Sequence, residues 1–366
     1  MKIVIVYHGI FPGYVAPVPK ELAKNLQLLG HSVRVVVVGQ RVPETTESEK
    51  FKFPVEVVEA GSWSRVYREI KREVFEAEVI HYFPGKGLEL LPFLNSSAIT
   101  IFNYLSVSVT GHNRRDQFVN LVKRAQPIFA DAMVCTDEAL ARTLWPLRRI
   151  PVKLLPVGYP ADLFHPCPPP TAQSTRRLVY HGAVRPARRL EDLVLMLAKL
   201  PPIYTLSIVG GGLAADEDYR RTLGELAVRI GCADRLELTN MPQPMIREVL
   251  NSAYMGISYV PPEECYQDQF VLKTLEYLAC HRPVLTTGTR YTKQFAQTIG
   301  SDRLLLSDGS VSDMVEKIVH SDQYVTSFYE PGGLEALSVS LKAHSSKSVV
   351  EHHLLPLYQS LRNKPD

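Results

Sequence analysis

Two carboxylates stand out in the segment YQDQFVLKTLEYLACHRPVLT, residues 266–286: Asp268 and Glu276, eight positions apart. Asp268 lies in an irregular polar stretch, and Glu276 falls within a helical run from about Val271 to Ala279. An acid inside a mostly apolar helix needs a hydrogen-bonding partner. A sugar hydroxyl is one, and the free N–H groups at the helix start attract phosphate. Helical steps of about 100° place Val271, Leu275, Leu278 and Ala279 on one arc. Glu276 then sits beside Leu272 at the edge of that arc, with Lys273 and Tyr277 on the outer side. Two readings stand. Glu276 is a boundary residue held by a surface lysine, or it accepts bonds from ribose hydroxyls while Asp268 faces a sugar.

The elements that would position these groups follow a βα rhythm. Ile3–Tyr7 is a continuous apolar run, as a buried parallel strand would be. KELAKNLQLLGHSVRVVVV then reads as a helix, a stop at Gly30 and a second strand. Strands are expected at Val79–His81, Ala98–Phe102, Ala132–Thr136 and Val152–Pro156, with a helix from Asp137. Six prolines between Pro156 and Thr175 interrupt the rhythm, and the linker is placed there. The pattern then resumes: strands at Leu178–Tyr180, Leu206–Val209, Leu236–Leu238 and Met255–Val260 alternate with helices. The expected organisation is a first domain at 1–160, a linker at 161–175 and a second domain at 176–345. A terminal helix, about 346–366, is expected to cross back to the first domain.

A chain of 366 residues suits two domains of about 100–200 residues each. Its formal charge of +3 argues against a dedicated nucleic-acid binder. The five cysteines include no CxxC pair, so zinc and redox-motif readings lack support and reduced thiols are expected. The N-terminus has neither the long apolar region nor the cleavage site of a secretory signal, and no stretch approaches a membrane span. A cytoplasmic location is the expectation. Arg65, Arg68, Lys71 and Arg72 flank an apolar line of Val66, Ile70 and Val74, and His112-Asn113-Arg114-Arg115 adds charge in the same domain. This pattern fits an ordinary surface helix on a sheet, or an interfacial helix resting on an anionic membrane.

The segment with Asp268 and Glu276 resembles the nucleotide-sugar signature of glycosyltransferase family 4: an acid, seven residues, a glutamate, then a small-residue turn and Pro-Val, here Pro283-Val284. Gly30-His31-Ser32-Val33, Leu155-Pro156-Val157-Gly158 with Asp162-Leu163-Phe164-His165-Pro166, and Ser207–Gly212 match other parts of that family, so the likeness spans nearly the whole chain. The resemblance implies a GT-B fold, an α/β architecture of two Rossmann-like doubly wound domains facing across a cleft. It also implies a metal-independent, retaining transfer from a nucleotide sugar, with no cofactor. Carried onto this sequence, it puts Glu276 on the ribose, Asp268 on the sugar, and Arg188 on the diphosphate where the family has a lysine. Gly182, Val271, Leu272 and Lys273 join the donor site, and Arg185 is the neighbouring cation. The departures are specific. Ala183 replaces the expected arginine, His281 a glycine, and Asn103 a histidine that contacts the transferred sugar. Gly13 keeps part of a glycine pair, and Tyr14 replaces the rest. His81 and His112 are candidate substitutes for the missing histidine, and with Tyr14 they are assigned to the acceptor side.

The expected activity is a retaining glycosyltransferase moving a sugar from a nucleotide diphosphate sugar, UDP- or GDP-linked, to a hydroxyl acceptor. The substitutions at Asn103, Ala183 and Tyr14 sustain an alternative, a nucleotide-sugar-binding partner protein without catalysis. An epimerase would need an acid–base carboxylate pair in the first domain, and none is found.

Overall fold

The computed structural model describes residues 1–11, 17–41, 54–59, 62–84, 97–107, 113–168, 175–210, 214–241, 243–269 and 272–363. Gly13, Tyr14, His112 and Val271 lie outside them. The chain divides into two compact units, residues 1–158 with 346–366, and residues 159–345.

The first unit holds a parallel sheet of β1 (Lys2–Phe11), β2 (Ser32–Arg41), β3 (Val55–Glu59), β4 (Val79–Tyr82), β5 (Ile99–Tyr104), β6 (Ala132–Cys135) and β7 (Val152–Leu154). Their order is β3-β2-β1-β4-β5-β6-β7, and Ile5 pairs with Val35 on one side and His81 on the other. Strands covered on both faces lose the alternation of a half-buried strand. Ile3 through Val6 accordingly are all buried. Among the described residues the unit also has α1 (Pro17–Leu28), α2 (Trp63–Val74), α3 (Asn113–Ala125) and α4 (Glu138–Thr143), besides a helical C-terminal segment. Gly30 ends α1 at φ 83, and His31 and Gly30 donate their N–H groups to the Leu26 and Gln27 carbonyls. That double bond with a left-handed residue is the Schellman cap. The C-terminal segment, Ser346–Val349, Val350–Leu354 and Leu355–Arg362, packs Val350, Leu354 and Tyr358 with Leu22 and Leu26 of α1 over one face of the sheet. On the other face Val66, Ile70 and Val74 of α2 enter the core. The interfacial reading of α2 is therefore corrected, because its apolar line faces the sheet.

The second unit has a parallel sheet of β8 (Arg176–His181), β9 (Tyr204–Val209), β10 (Leu236–Thr239), β11 (Met255–Ser258), β12 (Val284–Thr287) and β13 (Leu305–Ser307), ordered β10-β9-β8-β11-β12-β13. Its helices are α5 (Glu191–Lys199), α6 (Ala214–Arg229), α7 (Gln243–Asn251), α8 (Leu272–Ala279), α9 (Arg290–Ile299), α10 (Val311–Val319), α11 (Asp322–Phe328) and α12 (Pro331–Lys342). Part of the stretch read as linker belongs to this unit. Tyr159, Phe164 and Cys167 are buried in its core, and Pro168 accepts a bond of 2.7 Å from Arg282 Nη2. The prolines shape a segment wrapped on the unit, while 169–174 lie outside the described residues.

The outer-side placement of Lys273 and Tyr277 on α8 is also corrected. Residues 274–279 are all buried, since α8 packs on β11 and β12 and also meets α12. Tyr277 is 0% exposed, and a Cβ on Gly256 would come within 2.4 Å of its ring, so Gly256 makes the room that Tyr277 fills. Tyr277 Oη donates to the Val179 carbonyl (2.8 Å) and accepts from the His181 N–H (3.0 Å). The helix ends in another Schellman cap, with His281 and Arg282 donating to the Leu278 and Tyr277 carbonyls. His281 adopts φ 54, so this turn needs the conformation that favours glycine even though a histidine supplies it.

Candidate functional site

In an open parallel sheet the ligand crevice lies at the C-terminal strand ends where the strand order reverses. In the second sheet that point falls between β8 and β11. Here the two strand ends and the first turns of α8 bring together several of the residues expected from sequence.

Glu276, one turn into α8, is only 4% exposed, so the reading as a boundary glutamate is replaced by one of a buried acid. Its Oε2 lies 3.3 Å from Nε2 of His181, the last residue of β8. The contact is not aligned as a hydrogen bond, and His181 Nε2 has no hydrogen-bond partner among the described residues. Phe164 stacks at 6.3 Å on the imidazole and Tyr277 meets its edge at 4.9 Å. Burial pushes the His181 pKa down to about 3, and Lys273 adds to the shift. Desolvation thus outweighs the nearby carboxylate, and the ring is neutral at physiological pH. Sequence reading missed His181; the usable signal is a histidine directly ahead of the glycine that ends the strand.

Lys273 turns its ammonium inward. Nζ lies 4.0 Å from the Tyr180 ring centroid and donates to the Tyr259 carbonyl at 3.3 Å. Gly182 follows β8 at φ 135, and a Cβ there would lie 3.6 Å from Lys273 Nζ and 3.6 Å from Tyr180 Oη. Burial, reinforced by Arg188, holds the Lys273 pKa well below the usual lysine range, while Glu276 pulls the other way. A desolvated cation beside a glycine turn at a switch point is suited to an anion that arrives with its own charge. Gly210, at the neighbouring strand end, sits so close that a Cβ would fall 2.0 Å from the Gly182 carbonyl oxygen.

Arg188 lies in the turn after Gly182, its guanidinium 5.3 Å from the Tyr266 ring. Tyr266 Oη donates to the Ala187 carbonyl at 2.7 Å, so the loop carrying Asp268 is tied to the loop carrying Arg188. Arg185 is exposed at the start of that turn. Arg189 is taken up by Asp192 (3.1 Å) and Glu263 (3.6 Å). Leu272, the first residue of α8, packs on the core. Asp268 is drawn to a residue that sequence reading did not consider. Arg290 forks onto it through Nε (2.9 Å) and Nη2 (2.7 Å), and the same Nη2 reaches Glu264 at 2.7 Å.

In the first unit, Asn103 on β5 is 3% exposed and its Nδ2 lies 2.9 Å from His81 Nε2. His81 is 0% exposed, and its Nδ1 lies 2.7 Å from Tyr358 Oη. Burial pushes His81 down to about 3, so the ring is neutral. With both nitrogens engaged inside the fold, His81 supports Asn103 and does not itself meet an acceptor, which corrects its assignment. Asn103 borders a small pocket with Glu21 and Ser346. The Ser346 hydroxyl, buried there, has no hydrogen-bond partner among the described residues. Among the described residues no group of three His, Cys, Asp or Glu side chains could hold a metal ion, and no helix is long and apolar enough to cross a membrane.

Comparison with known proteins agrees with this architecture. HepE from Anabaena, solved with UDP and glucose, superposes with a TM-score of 0.78 at 14% identity, covering 98% of this chain and 100% of that one. The sucrose-phosphate synthase of Thermosynechococcus elongatus gives 0.75 at 17% identity, with 99% of each chain covered. A D-inositol 3-phosphate glycosyltransferase from Mycobacteroides abscessus is 32% identical over 111 residues, 30% of this chain and 24% of that curated relative. The family model described as Glycosyl transferases group 1 matches residues 175–321, the stretch that carries Gly182, Arg188, Lys273 and Glu276. By fold the chain is a two-domain GT-B protein, and most of its second unit matches the Glycosyl transferases group 1 model.

Proposed function

We propose that the protein is a retaining glycosyltransferase that moves a sugar from a nucleotide diphosphate sugar, with UDP the favoured carrier, to a hydroxyl acceptor. The observation that carries the reading is the group of buried Glu276 and His181 with half-buried Lys273 at the switch point of the second sheet. It lies inside the segment matching the family model. The structural relative from Anabaena was solved with UDP-glucose, which favours that donor class.

In this reading Glu276 accepts bonds from the ribose hydroxyls. Arg188 and Lys273 neutralise the diphosphate without a metal, and Arg185 assists from the rim. Lys273 thereby replaces the cation missing at Ala183. Cations fixed beside a departing diphosphate stabilise the charge that gathers there. The departing phosphate takes the acceptor proton, so no protein base is required, and Asn103 offers its amide to a sugar hydroxyl. Binding of UDP and UDP-glucose followed by calorimetry tests the donor site. Wild-type protein should bind both, and Glu276→Ala and Arg188→Ala should each weaken UDP by tenfold or more with an unchanged fold. Absence of UDP binding in the wild type would sink the proposal.

The fork of Arg290 on Asp268 favours a second reading, a donor-binding partner protein without turnover. UDP-glucose binding without hydrolysis or transfer to any acceptor would support it.

A further inference from the structure

The first unit carries apolar side chains on its surface where water should favour polar ones. On α3, Phe118 is 66% and Leu121 is 51% exposed. In the segment after α4, burial alternates. Leu144 and Pro146 turn inward, while Trp145 (54%) and Leu147 (59%) turn out. A solvated segment with this alternation would place polar residues at 145 and 147.

The two stretches form one surface. The Leu147 N–H donates to the Arg124 carbonyl at 3.0 Å, Arg124 Nε donates to the Trp145 carbonyl at 3.0 Å, and Arg148 reaches the Ile128 carbonyl at 2.6 Å. Leu121 is one turn ahead of Arg124, so the helix end and the Trp145 segment are strapped side by side.

Charge indicates what covers this surface. Residues 113–125 and 145–149 hold six basic residues and one acid, Asp116, for a formal +5. The whole chain carries +3, so the remainder is slightly acidic and the positive charge is concentrated here. Arg114, Arg115, Arg148 and Arg149 are exposed. A second copy of the chain would set two such faces against each other and be repelled. Nucleic acid would take up the arginines but leave Leu121 and Leu147 in water. A bilayer with anionic headgroups satisfies both groups, with tryptophan at the headgroup level and the arginines on phosphates.

We propose that the face made by α3 and residues 145–149 docks on an anionic lipid bilayer, with Phe118, Leu121, Trp145 and Leu147 entering the interface. This goes beyond the donor chemistry and stands or falls separately from it.

The test uses the full chain and vesicles of phosphatidylcholine with or without about 30% phosphatidylglycerol. The chain has two tryptophans, so Trp63→Phe leaves Trp145 as the reporter. Expected are co-sedimentation with anionic vesicles at low salt, a blue shift of Trp145 fluorescence, and little binding to neutral vesicles. Arg148→Ser with Arg149→Ser should weaken partitioning about fivefold per charge removed. Trp145→Ser with Leu147→Ser should weaken it further at an unchanged melting temperature. Three results would overturn the proposal: no binding by the wild type, binding that neither pair of changes weakens, or a concentration-dependent dimer broken by the same changes.

Discussion

His181 offers the sharpest test of how the candidate site is charged. Two effects compete on its ring. The Glu276 carboxylate 3.3 Å away would hold a proton on it, and burial would drive the proton off. The structure favours burial, with a folded pKa of about 3 against about 6.5 in the unfolded chain. The sign follows from linkage. Below pH of about 6.5 the unfolded state binds the extra proton, so stability falls as pH drops toward the folded value. From pH 8 to pH 5 the ratio of binding polynomials changes about thirtyfold, or about 2 kcal/mol. Urea unfolding of the wild type and of His181→Gln at both pH values isolates this term, because the contribution of His81 in the other unit is common to both proteins. The wild type should lose about 2 kcal/mol more than the variant on acidification. Equal losses would show that His181 is not desolvated as described. A smaller loss in the wild type would mean that the ring carries a proton shared with Glu276.

Gly256→Ala forces a Cβ to within 2.4 Å of the Tyr277 ring, and should cost about 3 kcal/mol or more in chemical denaturation. Pairing it with Tyr277→Leu should recover part of that loss, and additive losses would count against the packing argument. Ser346→Ala removes a buried hydroxyl without a partner among the described residues, so stability should stay level or rise by about 1 kcal/mol. A loss of more than about 1 kcal/mol would show that the hydroxyl is satisfied in solution. Arg290→Ala releases Asp268 and should alter turnover of UDP-glucose while UDP affinity holds. A matching fall in UDP affinity would place Arg290 in the donor site instead.

The alternation of strands and helices was readable because parallel strands buried on both faces appear as unbroken apolar runs, as at Ile3–Val6 and Val35–Val38. Helix α8 resisted the same reading. Periodicity locates a buried face only when the opposite face is wet, and α8 is covered by the sheet and by α12 together. Tyr277 therefore looked external although it is fully buried, and Lys273 looked external although its ammonium turns toward Tyr180. Glu276, Gly182 and Arg188 were named through the family resemblance. His181 and Arg290 were not, since each acts through a partner brought near by the fold and distant in sequence. The prolines after Pro156 misled for a related reason. Composition registers the lack of regular structure but not where Phe164 is buried.

Arg282 sets where the second unit can be cut from the chain. The guanidinium is 0% exposed and is satisfied by backbone carbonyls: Leu250 (2.8 Å), Asn251 (3.0 Å), His281 (3.1 Å) and Pro168 (2.7 Å). One of these four acceptors lies upstream of the first strand of the unit, in the proline-rich wrap. A fragment starting at residue 175, where the family model begins, would leave part of a buried cation unsolvated and strip Phe164 from the core. A fragment starting at or before Tyr159 keeps both, so the autonomous piece of this protein is longer at its N-terminal end than the homologous segment alone suggests.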